Sequence, residues 1–237
     1  MKLPPDLTPI MMTFDNYKDI LSSVKYLTYM KNSLIVSLST VLICMVVSLL
    51  ASYSLSRFQF PLRKTIMSVI LSIQMFPIVA ILISLFTFYS KLDLINTYTG
   101  LILADTTISL PLAIWMLKSF YDTIPKSLDE SACIDGCGRL RTMVQIIIPL
   151  IKPGMLAVGI YTFLKSWDDF MFSLVLMTKD MKKTLPVGIA ESFLGEYSHD
   201  YGGMMTLAVI ASLPIIILFI LFQKNMIFGL TGGAVKE

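Results

Sequence analysis

Five long apolar runs decide what this chain can become. They cover Asn32–Tyr53, Thr65–Tyr89, about Thr97–Phe120, Pro153–Met177 and Met204–Phe222, each about 19 to 25 residues long. As helix, at roughly 1.5 Å per residue, each can cross a hydrocarbon core of roughly 30 Å. Lipid offers no partner to an open backbone, so helix is the state such runs must take. Asn32 and Ser33 are plausible starts for the first, and Pro153 suits the first turn of the fourth. Pro77, Pro111 and Pro214 interrupt the others; neighbours in a bundle can absorb the lost bond, so kinks rather than ends are expected. Apolar residues make up 55% of the chain and charged ones only 15%, against about 25% charged in a soluble domain. The expected fold is an all-α, polytopic membrane bundle with five spans.

Orientation follows from Lys and Arg in the connecting loops. Arg57, Arg63 and Lys64 crowd a short loop that has no acid; Lys118, Lys126, Arg139, Arg141 and Lys152 lie in a longer one, and Lys224 and Lys236 in the tail. If the spans alternate, these share one side, ten basic residues against eight. That side is expected to be cytoplasmic, with the C-terminus on it. Residues 1–31 then lie outside as an extracytoplasmic segment and residues 32–237 form the membrane domain. The exported segment is polar and has no apolar leader, which leads us to expect a further span ahead of Met1, the alternative being a five-span protein with an exported N-terminus.

The net charge of +3 and the absence of a Lys/Arg run give no sign of nucleic-acid binding. Cys44 lies in an apolar run; Cys133 and Cys137 could share a helix face, but the single histidine, His199, is remote, so free thiols are expected rather than a metal site. No glycine-rich phosphate loop, HExxH or G-x-S-x-G occurs. No cofactor is expected in this chain.

The cytoplasmic loop, residues 121–152, is patterned. Ser127 and Glu130 have the spacing of a capping box, which predicts a short helix through Ser131, Ala132 and Cys133. Gly136 and Gly138 should end it in a tight turn. Leu140, Met143, Val144, Ile147 and Ile148 fall at helical spacing on one apolar face, and Pro149 and Pro153 should end that second helix.

Glu130-Ser131-Ala132, then Gly136, then Ile146-Ile147-Ile148-Pro149 resembles the EAA loop of bacterial ABC importer permeases: E-A-A, three residues, G, nine residues, I-x-L-P. Ser131 replaces an alanine and Ile148 a leucine. Lys165-SWDDFMFSLVLM-Thr178 is similar to the S-W-N-E-F-x-x-A-L segment of the maltose-type carbohydrate permeases, with Asp168 and Asp169 where Asn and Glu are more usual. Thr184-LPV-Gly188 resembles that family's T-L-P-V-G, and Gly229-LTGGAV-Lys236 its G-L-x-x-G-A-V-K ending. The likeness covers roughly residues 30–237. It implies that Glu130, Ser131, Ala132, Asp135, Gly136, Ile146 and Pro149 belong to a coupling loop that docks in a cleft of a cytoplasmic ATPase. It also implies a second permease chain, usually a different one; two ATP-binding subunits carrying the ATP and Mg; and an extracytoplasmic solute-binding protein. The cargo it implies is a carbohydrate or sugar-like solute. The family normally has six spans.

Charges inside spans are costly and mark function by default. Asp105 lies in the third run, and Lys165, Asp168 and Asp169 in the fourth. Lys165 is spaced to pair with either following carboxylate along a helix. Trp167, Phe170 and Phe172 surround them, an aromatic and carboxylate set that suits a sugar. The same residues could equally form an internal ion pair that holds two spans together. Gln74, beside Pro77, and Asn96, near the outer edge, are weaker candidates. Three other readings remain: ABC import of another small solute, an ion-gradient-driven secondary transporter using Asp105 and Lys165, and an intramembrane paired-carboxylate enzyme.

Overall fold

The structure, a computed structural model, describes residues 13–193 and 200–231. Among them every regular element is helical: α1 (Asp15–Ser22), α2 (Val24–Arg57), α3 (Arg63–Ser72), α4 (Ile78–Lys91), α5 (Tyr98–Thr123), α6 (Ser127–Ile134), α7 (Arg139–Thr142), a π-helical turn (Met143–Ile147), α8 (Ile148–Leu150), α9 (Lys152–Trp167), α10 (Met171–Leu176), α11 (Leu185–Phe193) and α12 (Tyr201–Thr231).

The first span begins at Val24, not at Asn32 or Ser33, and runs unbroken for 34 residues. At roughly 1.5 Å per residue it outreaches the hydrocarbon core and carries Arg57 beyond it. Its inner face is small and polar: Ser33, Ser37, Thr40, Cys44, Ser48 and Ser52 are buried. Its outer face carries Leu38, Leu42, Val46 and Leu50, all exposed. This inverts the soluble pattern, because aliphatic side chains gain nothing by leaving lipid while small ones let backbones approach. α5 and α9 pack against that small-residue face, and α12 closes on α9.

Three helices are long and apolar enough to cross a membrane singly: Val24–Arg57, Tyr98–Thr123 and Tyr201–Gln223. Pro111 and Pro214 stay inside α5 and α12. Pro77 does not merely kink its run. Arg63–Met75 and Ile78–Lys91 meet at 96°, because Phe76, the residue before the proline, is extended (φ −77°, ψ 131°) and that conformation stops a helix. The fourth run is also broken. α9 ends at Trp167, and Asp168–Phe170 separate it from the six-residue α10. A second sharp bend, 81°, lies where Arg139–Leu150 meets Lys152–Trp167. It falls at Ile151 (φ −93°, ψ 11°), so Pro149 sits within a helical turn and does not end the segment. Pro149 has no N–H to give the carbonyl four residues back, and the turn before it widens into the π form. Met143 and Ile147 of that turn are buried, whereas Leu140 and Val144 are exposed and leave the expected apolar face.

Candidate functional site

The break in the fourth run builds the intramembrane site. The last turn of α9 closes with the Asp168 N–H donating to the Leu164 carbonyl at 3.0 Å, and the chain then leaves the helix. The Asp169 carboxylate accepts from the N–H groups of Phe172 (3.3 Å) and Ser173 (2.9 Å) and so caps α10. Because the helix has ended, the expected pairing of Lys165 with Asp168 or Asp169 does not form: neither carboxylate is in an ion pair with it among the described residues. From α5, Asp105 is only 4% exposed and accepts from the Ser166 hydroxyl at 2.5 Å.

These groups share a cavity of about 520 Å³. Asp105, Lys165, Asp168, Asp169 and Phe170 line it as the sequence suggested, with Phe172, Tyr161, Ser109 and Ile78. Three candidates fall elsewhere. Trp167 is turned away, its ring stacked on Phe163 (centroids 5.5 Å, 16°) and its indole N–H on the Ala211 carbonyl at 3.2 Å. Gln74 donates to the Ile108 carbonyl at 2.8 Å and ties the bent second run to α5. Asn96 holds the outer loop, accepting from the Lys179 N–H at 2.8 Å. Ser166, which holds Asp105, was not signalled by the sequence, since a lone serine in an apolar run looks like small-residue packing.

The loop after α5 forms a helical bracket. The expected capping box is absent: Ser127 is already helical, Lys126 is the N-cap, and no side chain caps the turn. The C-terminus does what was expected of Gly136. Its φ is +77°, its N–H bonds to the Cys133 carbonyl (3.1 Å) and the Cys137 N–H to the Ala132 carbonyl (2.8 Å), a Schellman closure. Gly138 takes an ordinary extended conformation, and Cys133 and Cys137 lie on opposite sides of the turn rather than on one helix face. The bracket is held by a residue the sequence gave no reason to single out. Asp129 pairs with Arg57 Nε at 3.0 Å and accepts from Tyr53 Oη at 3.3 Å. Arg57 Nη1 donates to the Ile124 carbonyl at 3.1 Å. Arg139 lies over the Phe58 ring at 4.7 Å. Ala132 is buried beneath, and Ile146 is half-buried. Glu130, Ser131, Asp135 and Pro149 are exposed, Ile134 is 86% exposed, and Glu130 forms no ion pair among the described residues. A second cavity, of about 410 Å³, opens beside Arg57, Glu130, Ile134 and Arg139.

At the other end of α2 a polar latch fixes the outer loop. The Asn32 amide donates to the carbonyls of Met181 (3.1 Å) and Lys183 (2.8 Å) and accepts from Tyr98 Oη at 2.7 Å. Tyr29 Oη donates to Asp180 at 2.7 Å, and the Leu185 N–H to Ser33 Oγ at 2.8 Å. Lys183 pairs with both Asp180 and Glu191. The tyrosine hydrogen bond, then nearby lysines, hold the Asp180 carboxyl below the usual carboxylate range; Glu191, then Asp180, raise the Lys183 ammonium above its ordinary value. Gly188 of the Thr184–Gly188 stretch lies flat on the Tyr29 ring, where a Cβ would come within 2.1 Å of a ring carbon. His199 and most of the tail motif lie outside the described residues.

The family described as "Binding-protein-dependent transport system inner membrane component" matches residues 44–230. Among curated relatives, the trehalose/maltose transport system permease protein MalG of Thermococcus litoralis is 37% identical, over 94% of this chain and 81% of its own. The sulfoquinovosyl glycerol transport system permease protein SmoH of Agrobacterium fabrum is 35% identical, over 94% and 78%. The inner membrane ABC transporter permease protein YcjP of Escherichia coli is 33% identical, over 100% and 85%. A crystal structure of a bacterial ABC transporter involved in import of the acidic polysaccharide alginate shares the fold, with a TM-score of 0.78, 19% identity, and 91% of this chain and 80% of that one covered.

Proposed function

The chain belongs to the family of binding-protein-dependent transport system inner membrane components, and on that premise we propose that it is the membrane-spanning subunit of a carbohydrate importer driven by ATP hydrolysis on a separate subunit. The observation that carries this reading is the bracket. α6 is pinned to the end of α2 through Asp129 and Arg57, yet it presents Glu130 and Ile134 outward. A rigid element joined to one span by an ion pair and running through Ile151 into α9 can pass a rigid-body push to both helices. α9 lines the intramembrane cavity with Tyr161, Leu164 and Lys165, so movement of the bracket changes access to it. In this reading the bracket and C-terminus face the cytoplasm. Two ATPase subunits close beneath, a second and different permease chain completes the pathway, and a solute-binding protein delivers cargo to the side of the Asn32 latch. Relatives named for trehalose, maltose and maltodextrin transport support a carbohydrate cargo. Asp105, Lys165, Asp168 and Tyr161 are the groups placed to hold its hydroxyls.

The test is capture of the tagged chain from its membranes and reconstitution of the captured assembly in liposomes. Solute uptake that requires ATP and is lost in Gly136→Pro, together with loss of the co-captured ATPase, supports the reading. Uptake that persists without nucleotide and collapses with an ionophore would instead favour an ion-driven carrier, in which the buried Asp105 is the coupling group.

A further inference from the structure

The intramembrane cavity has a chemical bias that nothing in the family's description specifies. Resting on the reading of this cavity as the solute site, we infer that its preferred solute is an amine-bearing carbohydrate, and that anionic sugars are rejected there. Three carboxylates, Asp105, Asp168 and Asp169, and one ammonium, Lys165, line the same 520 Å³ space. Lys165 forms no close ion pair among the described residues, although its charge acts on Asp168, and the wall has three carboxylates to one ammonium.

The carboxylates are not equivalent. Asp169 is committed to the N–H groups at the start of α10. Asp105 gives one oxygen to Ser166. Asp168 has no side-chain hydrogen bond among the described residues, is exposed and lines the cavity. An ammonium on a sugar ring supplies three donors and a positive charge to Asp168 and the free oxygen of Asp105. A neutral sugar offers only hydroxyls. A uronate or sulfonate adds like charge beside the carboxylates. Tyr161, Phe170 and Phe172 give the apolar ring face a surface to stack on. Lys165 lies at the last turn of α9 and suits a ring hydroxyl or acetal oxygen as acceptor.

The test uses the tagged chain captured with its bound subunits and placed in lipid nanodiscs, titrated calorimetrically at pH 7 with D-glucosamine, D-glucose and D-glucuronate. Glucosamine should bind at least about tenfold more tightly than glucose, and glucuronate more weakly than either. Asp168→Asn, at an exposed position that does not hold the fold, should abolish the preference for the amine, bringing glucosamine and glucose within about twofold of each other. Asp168→Lys should reverse the order of glucosamine and glucuronate. Equal binding of glucosamine and glucose, tighter binding of glucuronate, no binding of any of the three, or a preference unmoved by both variants would overturn the inference. Co-capture of an ATPase in the same preparation reports on the transport reading separately, so failure of the cavity inference alone is recognisable.

Discussion

Arg57, the last residue of α2, and Asp129, in the first turn of α6, are joined Nε to Oδ2 at 3.0 Å, the arginine side chain 7% exposed and the aspartate 20%. Glu130, the next residue, points away from this joint and is exposed. Two neighbouring acids therefore have separate tasks. Asp129→Asn leaves a nearly buried guanidinium short of its partner. The pair lies between a surface and a fully buried bridge, so the expected loss is about 1–3 kcal/mol, seen as a lower melting temperature in detergent. Glu130→Gln should leave the melting temperature unchanged and weaken only ATPase co-capture. Equal melting shifts in both would sink this division of labour.

Gly136 and Gly138 look alike in sequence and differ in conformation. Nothing lies within 4 Å of a Cβ built on either, so any cost is backbone strain. Gly136→Ala must hold a side chain at φ +77° and should cost about 1–2 kcal/mol. Gly138→Ala, in an extended conformation, should be neutral or slightly stabilising. Thermal denaturation of the two variants, run together, checks the difference.

Gly154 of α9 lies against Phe120 of α5, and a Cβ there would lie 2.4 Å from Phe120 Cγ. Gly154→Ala should cost about 1–3 kcal/mol by overpacking. Adding Phe120→Leu should recover part of that loss. If the double variant is as unstable as the single one, the contact is not the cause.

The outer latch should have a pH window. The Asp180 carboxyl is held below its ordinary range, first by the Tyr29 hydrogen bond, so its contribution is present above the unfolded carboxylate value, about 4, and fades as acid carries the pH through the lower folded value. Lys183 is raised, first by Glu191; its contribution is complete below its unfolded value of about 10.4 and fades as the pH rises through the folded value. Protection of the Leu185 amide, whose N–H bonds to Ser33, measured relative to its intrinsic exchange rate at each pH, should be greatest between these limits and fall on both sides. Protection that stays flat from pH 3 to 7 would contradict the acid limb.

Much of the fold could be read from the chain because lipid removes the alternatives. A run of twenty apolar residues in a medium without hydrogen-bond partners is a helix whatever surrounds it. A glycine four residues after the buried Ala132, φ +77° in the structure, is the ordinary residue for a left-handed helix end. The spacing of Glu130, Gly136 and Pro149 thus marks the bracket, and the charges in the third and fourth runs mark residues that line the cavity. Spacing along a helix was a poor guide to partners, however. It paired Lys165 with Asp168 and Asp169 and gave Ser127 a capping role; the first fails because α9 ends at Trp167, well inside the expected run, and the second because α6 begins one residue early, at Ser127.

What sequence determined by itself was therefore local and solvent-driven: which segments are helical, which face lipid, and where the chain must turn. Tertiary packing decided the rest. Whether a proline is absorbed or breaks its run is not written in the run: Pro111 and Pro214 stay within α5 and α12, while Pro77 divides its run into helices 96° apart. The pairing of Arg57 with Asp129, of Ser166 with Asp105, and of Asn32 with the Met181 and Lys183 carbonyls joins residues far apart in the chain. Each is fixed by the geometry of α2, α5 and α9 meeting across small residues, a close approach that no pattern within one helix encodes.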